Sequence, residues 1–303
     1  MAVNTKEIQI RIRSVKNTKK ITKAMEMISA AKMRKATENV LQTRSYAGLA
    51  WEMLNDVSVK TDTSIHPLLE KREIKKLGVL LITSNRGLCG GFVSKLLTET
   101  NKYIEELKKE NENLEVEVIL MGKKGIKIFK YHGHKIASEF EKQDLTTKIE
   151  EILPIARTIT GDYISEKYDK VVLAYTDFVS PINQIPKILE LLPLGSEDEM
   201  LGQAMTGGEK GEELPKTDID FTFEPSPKKV LEVLLPKLVE MQVYQAILES
   251  DASEHSARMM AMRNASDAAG DMIDDLTLTF NKARQSAITQ EISEIVGGAA
   301  ALE

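Results

Sequence analysis

Apolar side chains near the amino terminus recur every three or four residues, which is the period of one face of an α-helix. Between positions 4 and 58 the chain contains no proline and a single glycine, Gly48. The pattern therefore predicts one helix about 80 Å long at 1.5 Å per residue, ending between Thr61 and Pro67. Its apolar face is predicted to comprise Ile8, Ile12, Val15, Ile21, Met25 and Ile28.

A second and longer helical pattern occupies the carboxyl-terminal part of the chain. It is predicted to begin at Ser226 and Pro227, because serine is a favoured helix cap and proline suits the first helical position. Pro236 should kink the helix or restart it, and the 67 residues that follow contain no other proline. A helix about 100 Å long is stable in water only when a partner covers its apolar face.

The two terminal helices are predicted to cover each other as an antiparallel two-helix coiled coil. From Ala252 to Ala269 one face of the second helix is made of alanine and serine, which permits close approach of two backbones. The steps of 4, 3 and 4 that follow are those of a coiled-coil seam. That seam is predicted to contain Leu276, Phe280, Ala283 and Ala287.

The middle of the chain, between residues 76 and 224, has a different pattern. Short runs rich in β-branched residues alternate with helical segments, which favours a mostly parallel sheet flanked by helices. The predicted strands are Leu77–Thr83, Leu114–Met121, Lys170–Thr176 and Ile219–Phe223. The predicted helices are Phe92–Lys109, Lys123–Tyr131 and a segment around Thr147–Lys167.

The predicted fold class is therefore α/β plus long helices, with a Rossmann-like α/β domain inserted into a coiled coil of the two termini. The predicted domains are an amino-terminal helix at 1–60, the α/β domain at 61–225 and a carboxyl-terminal helix at 226–303. Within the middle domain, the acidic and glycine-rich stretch from Leu194 to Lys216 is predicted to be a mobile surface loop.

Composition restricts the class of protein further. A hydrophobic fraction of 42% and a charged fraction of 29% are typical of a folded chain in water. The one cysteine, Cys89, excludes an intrachain disulfide and predicts a reducing compartment. No apolar run approaches the roughly 20 residues that cross a bilayer, and the amino terminus lacks the apolar stretch of a secretory signal. The sequence therefore predicts no direct membrane insertion.

Charge is distributed unevenly along the chain. Residues 1–44 contain 11 Lys and Arg against three Glu, although the whole chain has a net charge of −5. A positively charged helix predicts an acidic protein partner, nucleic acid or an anionic lipid surface. Nucleic acid is disfavoured because the segment lacks interleaved aromatic residues, and lipid because its apolar stripe is narrow. An ordinary solvated helix face remains an alternative.

Three features could indicate chemistry. The glycine-rich stretch from Thr83 to Gly91 follows a predicted strand and precedes a helix, where such loops can hold phosphates. Its spacing matches neither the phosphate loop nor the dinucleotide fingerprint, so a tight turn is the favoured interpretation. His132 and His134 lack a third metal ligand at suitable spacing. The apolar, slim end from Ile295 to Leu302 suggests insertion into an apolar socket, although a tail folded back on its own domain would have the same composition.

Four segments resemble the gamma subunit of the rotary (F-type) ATP synthase. They are ITKAMEMISAAKMRKA at 21–36, SNRGLCGGF at 84–92, EMQVYQAILESDASEHSARMMAMRNASDAA at 240–269 and NKARQSAITQEISEIVGGAAAL at 281–302. The resemblance implies a central rotor shaft that stands inside a hexamer of alpha and beta subunits and rests on a membrane ring of c subunits. It implies no catalytic residue, cofactor or metal site in this chain, since the chemistry belongs to the beta subunits.

The resemblance also implies contacts for individual residues. Arg284 and Gln285 match the family's catch, the pair that hydrogen-bonds a beta-subunit loop. Met25, with Lys20 and Lys23 beside it, matches a collar that faces an acidic lever of the beta subunit.

Phe223 and Glu224 fall where the family's foot approaches the membrane ring. An epsilon subunit is a further implied partner, and the implied location is the cytoplasmic face of a bacterial plasma membrane, as a peripheral protein. Torque would pass along the shaft, whose lack of threefold symmetry would hold the three catalytic sites in different states. The alternatives are a nucleotide-dependent α/β enzyme that uses the 84–91 loop and a coil that binds nucleic acid.

Overall fold

The computed structural model describes residues 5–60, 66–131, 134–145, 148–194 and 227–300. The described chain forms two compact units, one from residues 1–29 and 259–303 and the other from residues 30–258. The helices are α1 (Thr5–Lys60), α2 (Phe92–Glu110), α3 (Lys123–Tyr131), α4 (Leu153–Ile164) and α5 (Pro227–Ala300). The strands are β1 (Lys76–Ile82), β2 (Glu115–Met121), β3 (Lys135–Phe140), β4 (Lys170–Phe178) and β5 (Gln184–Leu192).

The second unit is built on a five-stranded sheet in the order β3-β2-β1-β4-β5. Strands β1 to β4 are parallel, and β5 runs antiparallel to β4. The predicted α/β fold is therefore confirmed, with two edge strands that the pattern did not predict. Pro186 lies inside β5, and proline is tolerated there because one side of an edge strand needs no hydrogen-bond donor.

One face of the sheet is covered by α2 and α3. Val79 and Leu81 point to this side, where they join Leu96 of α2 and Phe129 of α3 in one buried cluster. Apolar residues recur about every 3.6 positions in α2 and at every second position in β1. Each element therefore presents a continuous apolar surface to the other. This packing is the reason that α2 and α3 were predictable to within a residue.

The opposite face of the sheet is covered by α4 and by parts of both long helices. Leu80 of β1 shares a buried cluster with Ile159 of α4, Val40 of α1 and Ile247 of α5. The predicted helix around Thr147–Lys167 is shorter than expected, because a 3-10 turn at Ile149–Glu151 precedes α4.

The first unit is a two-helix coil, in which α1 and α5 are antiparallel. Within this unit, Nζ of Lys19 on α1 approaches Gly270 of α5. The polar residues Thr22 and Ser29 are buried in the coil. The predicted seam was wrong at this point, since Ile21 and Ile28 are 61% and 58% exposed.

The error in the seam has a simple physical cause. After Val15 the buried face continues in steps of seven residues to Thr22 and Ser29, which keeps the 3.5-residue period of a coiled coil. The apolar pattern placed the predicted seam one position earlier, at the neighbouring isoleucines. Small side chains on α5, among them Ser266 and Ala269, are buried as well, and such side chains allow the two backbones to approach closely.

Helix α5 is one continuous element. It begins at Pro227, as predicted, and it passes through Pro236 without restarting. The seam continues to Ala283, which is half-buried, but Ala287 is exposed, so the prediction for that residue was wrong. Every residue from Arg284 to Gly298 is exposed, so none of the described residues covers this part of α5. The predicted strand at 219–223 and the stretch 195–216 lie outside the described residues.

Candidate functional site

The carboxyl edge of the sheet is where parallel α/β folds hold their ligands, at the point where the strand order reverses. Here the reversal lies between β1 and β4, and α5 occupies it. The Ser253 hydroxyl donates to the Thr176 carbonyl at 3.1 Å, and the Ser256 hydroxyl donates to the Pro181 carbonyl at 2.6 Å. The protein's own helix therefore packs against the carboxyl end of β4, at the edge where such folds bind their ligands.

The glycine-rich loop at this edge is used as a helix cap. Three successive amide groups at the start of α3 donate to it: Lys123 to Asn85 Oδ1 at 3.2 Å, Lys124 to the Ser84 carbonyl at 3.0 Å, and Gly125 to Thr83 Oγ1 at 3.1 Å. Those donors would otherwise be available to an anion.

The same loop makes a sharp turn between β1 and α2. The backbone is left-handed at Leu88, with φ of 62°, and at Gly90, with φ of 56°. Together with the cap on α3, this geometry favours the tight-turn interpretation over nucleotide binding.

A cluster of buried charges joins α5 to the segment that follows β3. Lys142 Nζ lies 2.9 Å from Asp251 and 2.7 Å from Glu254, and all three side chains are at least nine-tenths buried. Burial opposes the charge on Lys142, but the two carboxylates outweigh it and raise its pKa. Burial also opposes the charge of Glu254, yet Lys142 and Arg258 outweigh it and lower the pKa of that carboxyl.

Arg258 and His255 extend the cluster to the neighbouring loops. Arg258 binds Glu254 at 2.6 Å, and its Nε donates to the Gly87 carbonyl at 3.4 Å. His255 Nε2 lies 2.9 Å from the carbonyl oxygen of Asp144. The Asp144 carboxylate, at the protein surface, binds Lys32 of α1 at 3.2 Å.

This cluster was not predicted from the sequence. The face of α5 from 252 to 269 was predicted from its small residues alone, and the charges beside them were passed over. A signal was present, because Asp251, Glu254 and Arg258 are three and four residues apart and so share one face of a helix. A charged row on the buried side of a long helix indicates ionic partners elsewhere in the fold, and Lys142 is that partner.

The predicted partner-contact residues lie in the coil of the first unit. Arg284 and Gln285 are exposed on α5, directly after the half-buried Ala283. Lys20 and Lys23 are exposed on α1, with Lys23 bonded to Glu26 at 2.9 Å.

The structure keeps the predicted catch and the predicted collar apart. Lys19 approaches Gly270, and Arg284 is 14 residues further along α5, about 20 Å at 1.5 Å per residue. Met25, the third collar residue, is half-buried. Phe223 and Glu224 lie outside the described residues.

His134, which was considered as a possible metal ligand, makes contacts that are typical of a structural residue. The His134 ring packs against Phe129 with 5.1 Å between ring centroids, and its Nε2 lies 3.2 Å from Asn101 Oδ1. Within the described ranges, no three His, Cys, Asp or Glu side chains are grouped so that they could hold a metal ion. None of the helices in those ranges combines the length and the apolar character needed to cross a bilayer.

Comparison with known proteins gives consistent matches over the whole chain. A family model described as ATP synthase matches residues 4–302. The ATP synthase gamma chain of Chloroflexus aurantiacus is 43% identical over 302 residues, covering 99% of both chains. That of Alkaliphilus metalliredigens is 39% identical over 303 residues and covers all of both chains.

Two solved structures share the fold. A chain of the Euglena gracilis mitochondrial ATP synthase, in a structure of its OSCP, F1 and c-ring, superposes with a TM-score of 0.64 at 20% identity. It covers 98% of this chain and 94% of its own. A chain of the central stalk and c-ring of the Tetrahymena thermophila enzyme superposes with a TM-score of 0.59 at 24% identity, covering 81% of this chain and 99% of its own.

Proposed function

Since this chain belongs to the family of ATP synthase gamma chains, we propose that it is the central rotor shaft of a proton-translocating ATP synthase. In this role it transmits torque between a membrane ring of c subunits and a hexamer of alpha and beta subunits. It holds the three catalytic sites in different states and performs no catalysis itself. The proposed location is peripheral, on the cytoplasmic face of a bacterial plasma membrane.

The observation that carries the proposal is the unequal surface of the coil. Along α1, Ile10, Ile21 and Ile28 are exposed among lysine and arginine side chains, whereas the end of α5 exposes Ile288 and Ile292. A coil of two different helices has no threefold symmetry. Three identical partners placed around it would each meet a different face, so the coil would stabilise a different conformation in each of them.

The proposed contacts divide along the chain. Arg284 and Gln285 form the catch on a beta-subunit loop, and Lys20, Lys23 and Met25 form the collar opposite an acidic beta-subunit segment. Exposure of the four polar residues is consistent with contact to other chains.

The proposed foot comprises residues 61–225, between the terminal helices 1–60 and 226–303. Through Phe223 and Glu224 it rests on the c ring, and the epsilon subunit binds beside it.

A rotation assay tests the proposal directly. The chain is reconstituted with alpha and beta subunits, the hexamer is fixed to a surface, and a bead is attached to the foot of the chain. Addition of ATP should turn the bead in one direction in three steps per revolution. A bead that moves at random while the hexamer hydrolyses ATP would contradict the shaft assignment.

The double substitution Arg284→Ala with Gln285→Ala should lower coupled ATP turnover roughly tenfold, because loss of a central arginine contact costs about 1–2 kcal/mol at an interface. The unfolding midpoint of the isolated chain should not change, since both side chains are exposed. Turnover is measured in the reconstituted complex. Arg263→Ala with Asn264→Ala is the matched control, an exposed arginine and amide on the same helix. If coupled ATP turnover falls equally in both variants, Arg284 and Gln285 have no special role as a catch.

A further inference from the structure

His255 joins α5 to the short segment between β3 and α4. Its Nε2 lies 2.9 Å from the carbonyl oxygen of Asp144, and its Nδ1 lies 3.1 Å from Nη1 of Arg258. The side chain is buried, with 3% of the residue's surface exposed. Nothing in the proposed rotor function requires a buried histidine at this position.

The two partners determine the protonation state of the ring. A guanidinium group can only donate hydrogen bonds, so Nδ1 must accept one from Arg258. A carbonyl oxygen can only accept, so Nε2 must donate its hydrogen to Asp144. Both bonds are therefore satisfied only by the neutral ring with its hydrogen on Nε2. A second proton on Nδ1 would point at the N–H groups of Arg258.

Charged groups from four elements lie around this ring. On α5 itself they are Asp251, Glu254 and Arg258; on the segment after β3, Lys142 and Asp144; on α1, Lys32; and on the glycine-rich loop, Arg86.

The carboxylates on α5 would favour a protonated ring, but Lys142 and Arg258 already pair with them. Burial is the largest influence on His255 and lowers its pKa, despite the opposing attraction of Glu254 and the bond to Asp144. The neutral ring is therefore the form that the folded protein favours.

We propose that His255 is a proton-sensitive latch, which in its neutral form ties the main chain at Asp144 to α5 and which releases it when Nδ1 is protonated. Release breaks the bond to the Asp144 carbonyl, because a charged ring beside Arg258 must turn towards solvent. The latch goes beyond the rotor function, since it acts within this chain and needs no partner.

The direction of the pH dependence follows from the lowered pKa. The released histidine titrates near its ordinary pKa of about 6.5, whereas the latched ring stays neutral to lower pH. Above that pKa the latch contributes its full stabilisation. As the pH falls below it, protons bind the released state preferentially, and the stabilisation declines. One pH unit below, at about pH 5.5, the released state is favoured more than at neutral pH, by at most roughly tenfold.

Hydrogen exchange of the whole 303-residue chain tests the latch. Exchange of the amides in residues 139–145 is measured by mass spectrometry at pH 5.5 and pH 7.5, in the wild-type chain and in His255→Gln. Glutamine can donate to Asp144 and accept from Arg258 without titrating. The rate ratio of wild type to variant should exceed one at pH 5.5, by at most about tenfold, and should be close to one at pH 7.5. Comparison at a fixed pH removes the intrinsic pH dependence of exchange.

Two further measurements make the result decisive. His66→Gln changes a histidine at the turn before β1, and it should leave the wild-type ratio for residues 139–145 unaltered. Nuclear magnetic resonance of ¹³C-labelled histidines gives the titration midpoint of His255 in the folded chain, which should lie below the ordinary value of about 6.5. A ratio near one at both pH values overturns the latch. A midpoint at or above the ordinary value overturns it as well, because protons would then not favour the released state.

Discussion

Replacing Lys142 with methionine should lower the free energy of unfolding by about 3–5 kcal/mol, the range found when one partner of a buried ion pair is removed. Methionine has a similar length and no charge, so packing is largely retained. Asp251 and Glu254 then remain buried without the ammonium group that lies 2.9 and 2.7 Å from them. The loss therefore reports the cost of uncompensated carboxylates, not the net value of the pair.

Urea unfolding of the chain at neutral pH measures this loss. Lys123→Met is the matched control, because Lys123 pairs with Glu141 at 3.5 Å while both side chains are more than two-thirds exposed. Exposed pairs contribute between about 0 and 1 kcal/mol. Similar losses in the two variants would mean that the Lys142 cluster is not desolvated.

At acidic pH the free energy of unfolding of Lys142→Met should come closer to that of the wild type. The pKa of Glu254 is lowered in the folded protein, because Lys142 and Arg258 outweigh the effect of its burial. Its stabilising contribution is complete above its ordinary pKa of about 4.3 and is lost as the pH falls through the folded value. Once Glu254 is protonated, it no longer carries the buried negative charge that the substitution of Lys142 leaves uncompensated.

Replacing Gly122 with alanine should destabilise the fold by about 3 kcal/mol or more. Gly122 has a φ of 99°, a conformation that side-chain-bearing residues rarely adopt. A Cβ there would overlap the Thr83 carbonyl oxygen and would lie 2.8 Å from the Thr83 hydroxyl oxygen. The same hydroxyl accepts from Gly125 at the start of α3. The substitution therefore displaces the loop that caps that helix.

Gly161→Ala is the matched control for this prediction. Gly161 lies within α4, and a Cβ added there would have no atom within 4 Å. Alanine in a helix is favoured over glycine by about 0.8–1 kcal/mol, so this variant should raise the unfolding midpoint. If the two glycine-to-alanine substitutions change the stability in opposite directions, the loss at Gly122 is caused by its local backbone geometry and not by the added methyl group as such. Two losses of equal size would contradict the geometry at Gly122.

Long periodic segments of this sequence predicted their structure well. The bounds of α3 were predicted without error, and α2 differed by one residue, because each has one apolar face against the sheet. The edge strands β3 and β5 were not predicted. Both lie beside one neighbour only, and Pro186 within β5 weakened the strand pattern further.

The buried charges were harder to predict than the strands. Lys142 is 109 residues from Asp251 along the chain, and a single lysine in a polar segment gives no sign that it will be buried. Thr22 and Ser29 were missed for a related reason: polar side chains fill a seam where the partner helix leaves little space. Their burial depends on the shape of α5, which is set by residues more than 200 positions away.

The way in which α5 is held at the carboxyl edge of the sheet has a consequence for sequence variation. Ser253, Ser256 and Arg258 all donate to main-chain carbonyl groups, one in β4 and two in the surrounding loops. Every residue type has such a carbonyl group, so residues of the loops can be substituted without loss of the hydrogen bonds that hold α5. The three donors on α5 have no such freedom. Substitutions that natural selection tolerates at this joint should therefore accumulate on the loops and be scarce on the helix.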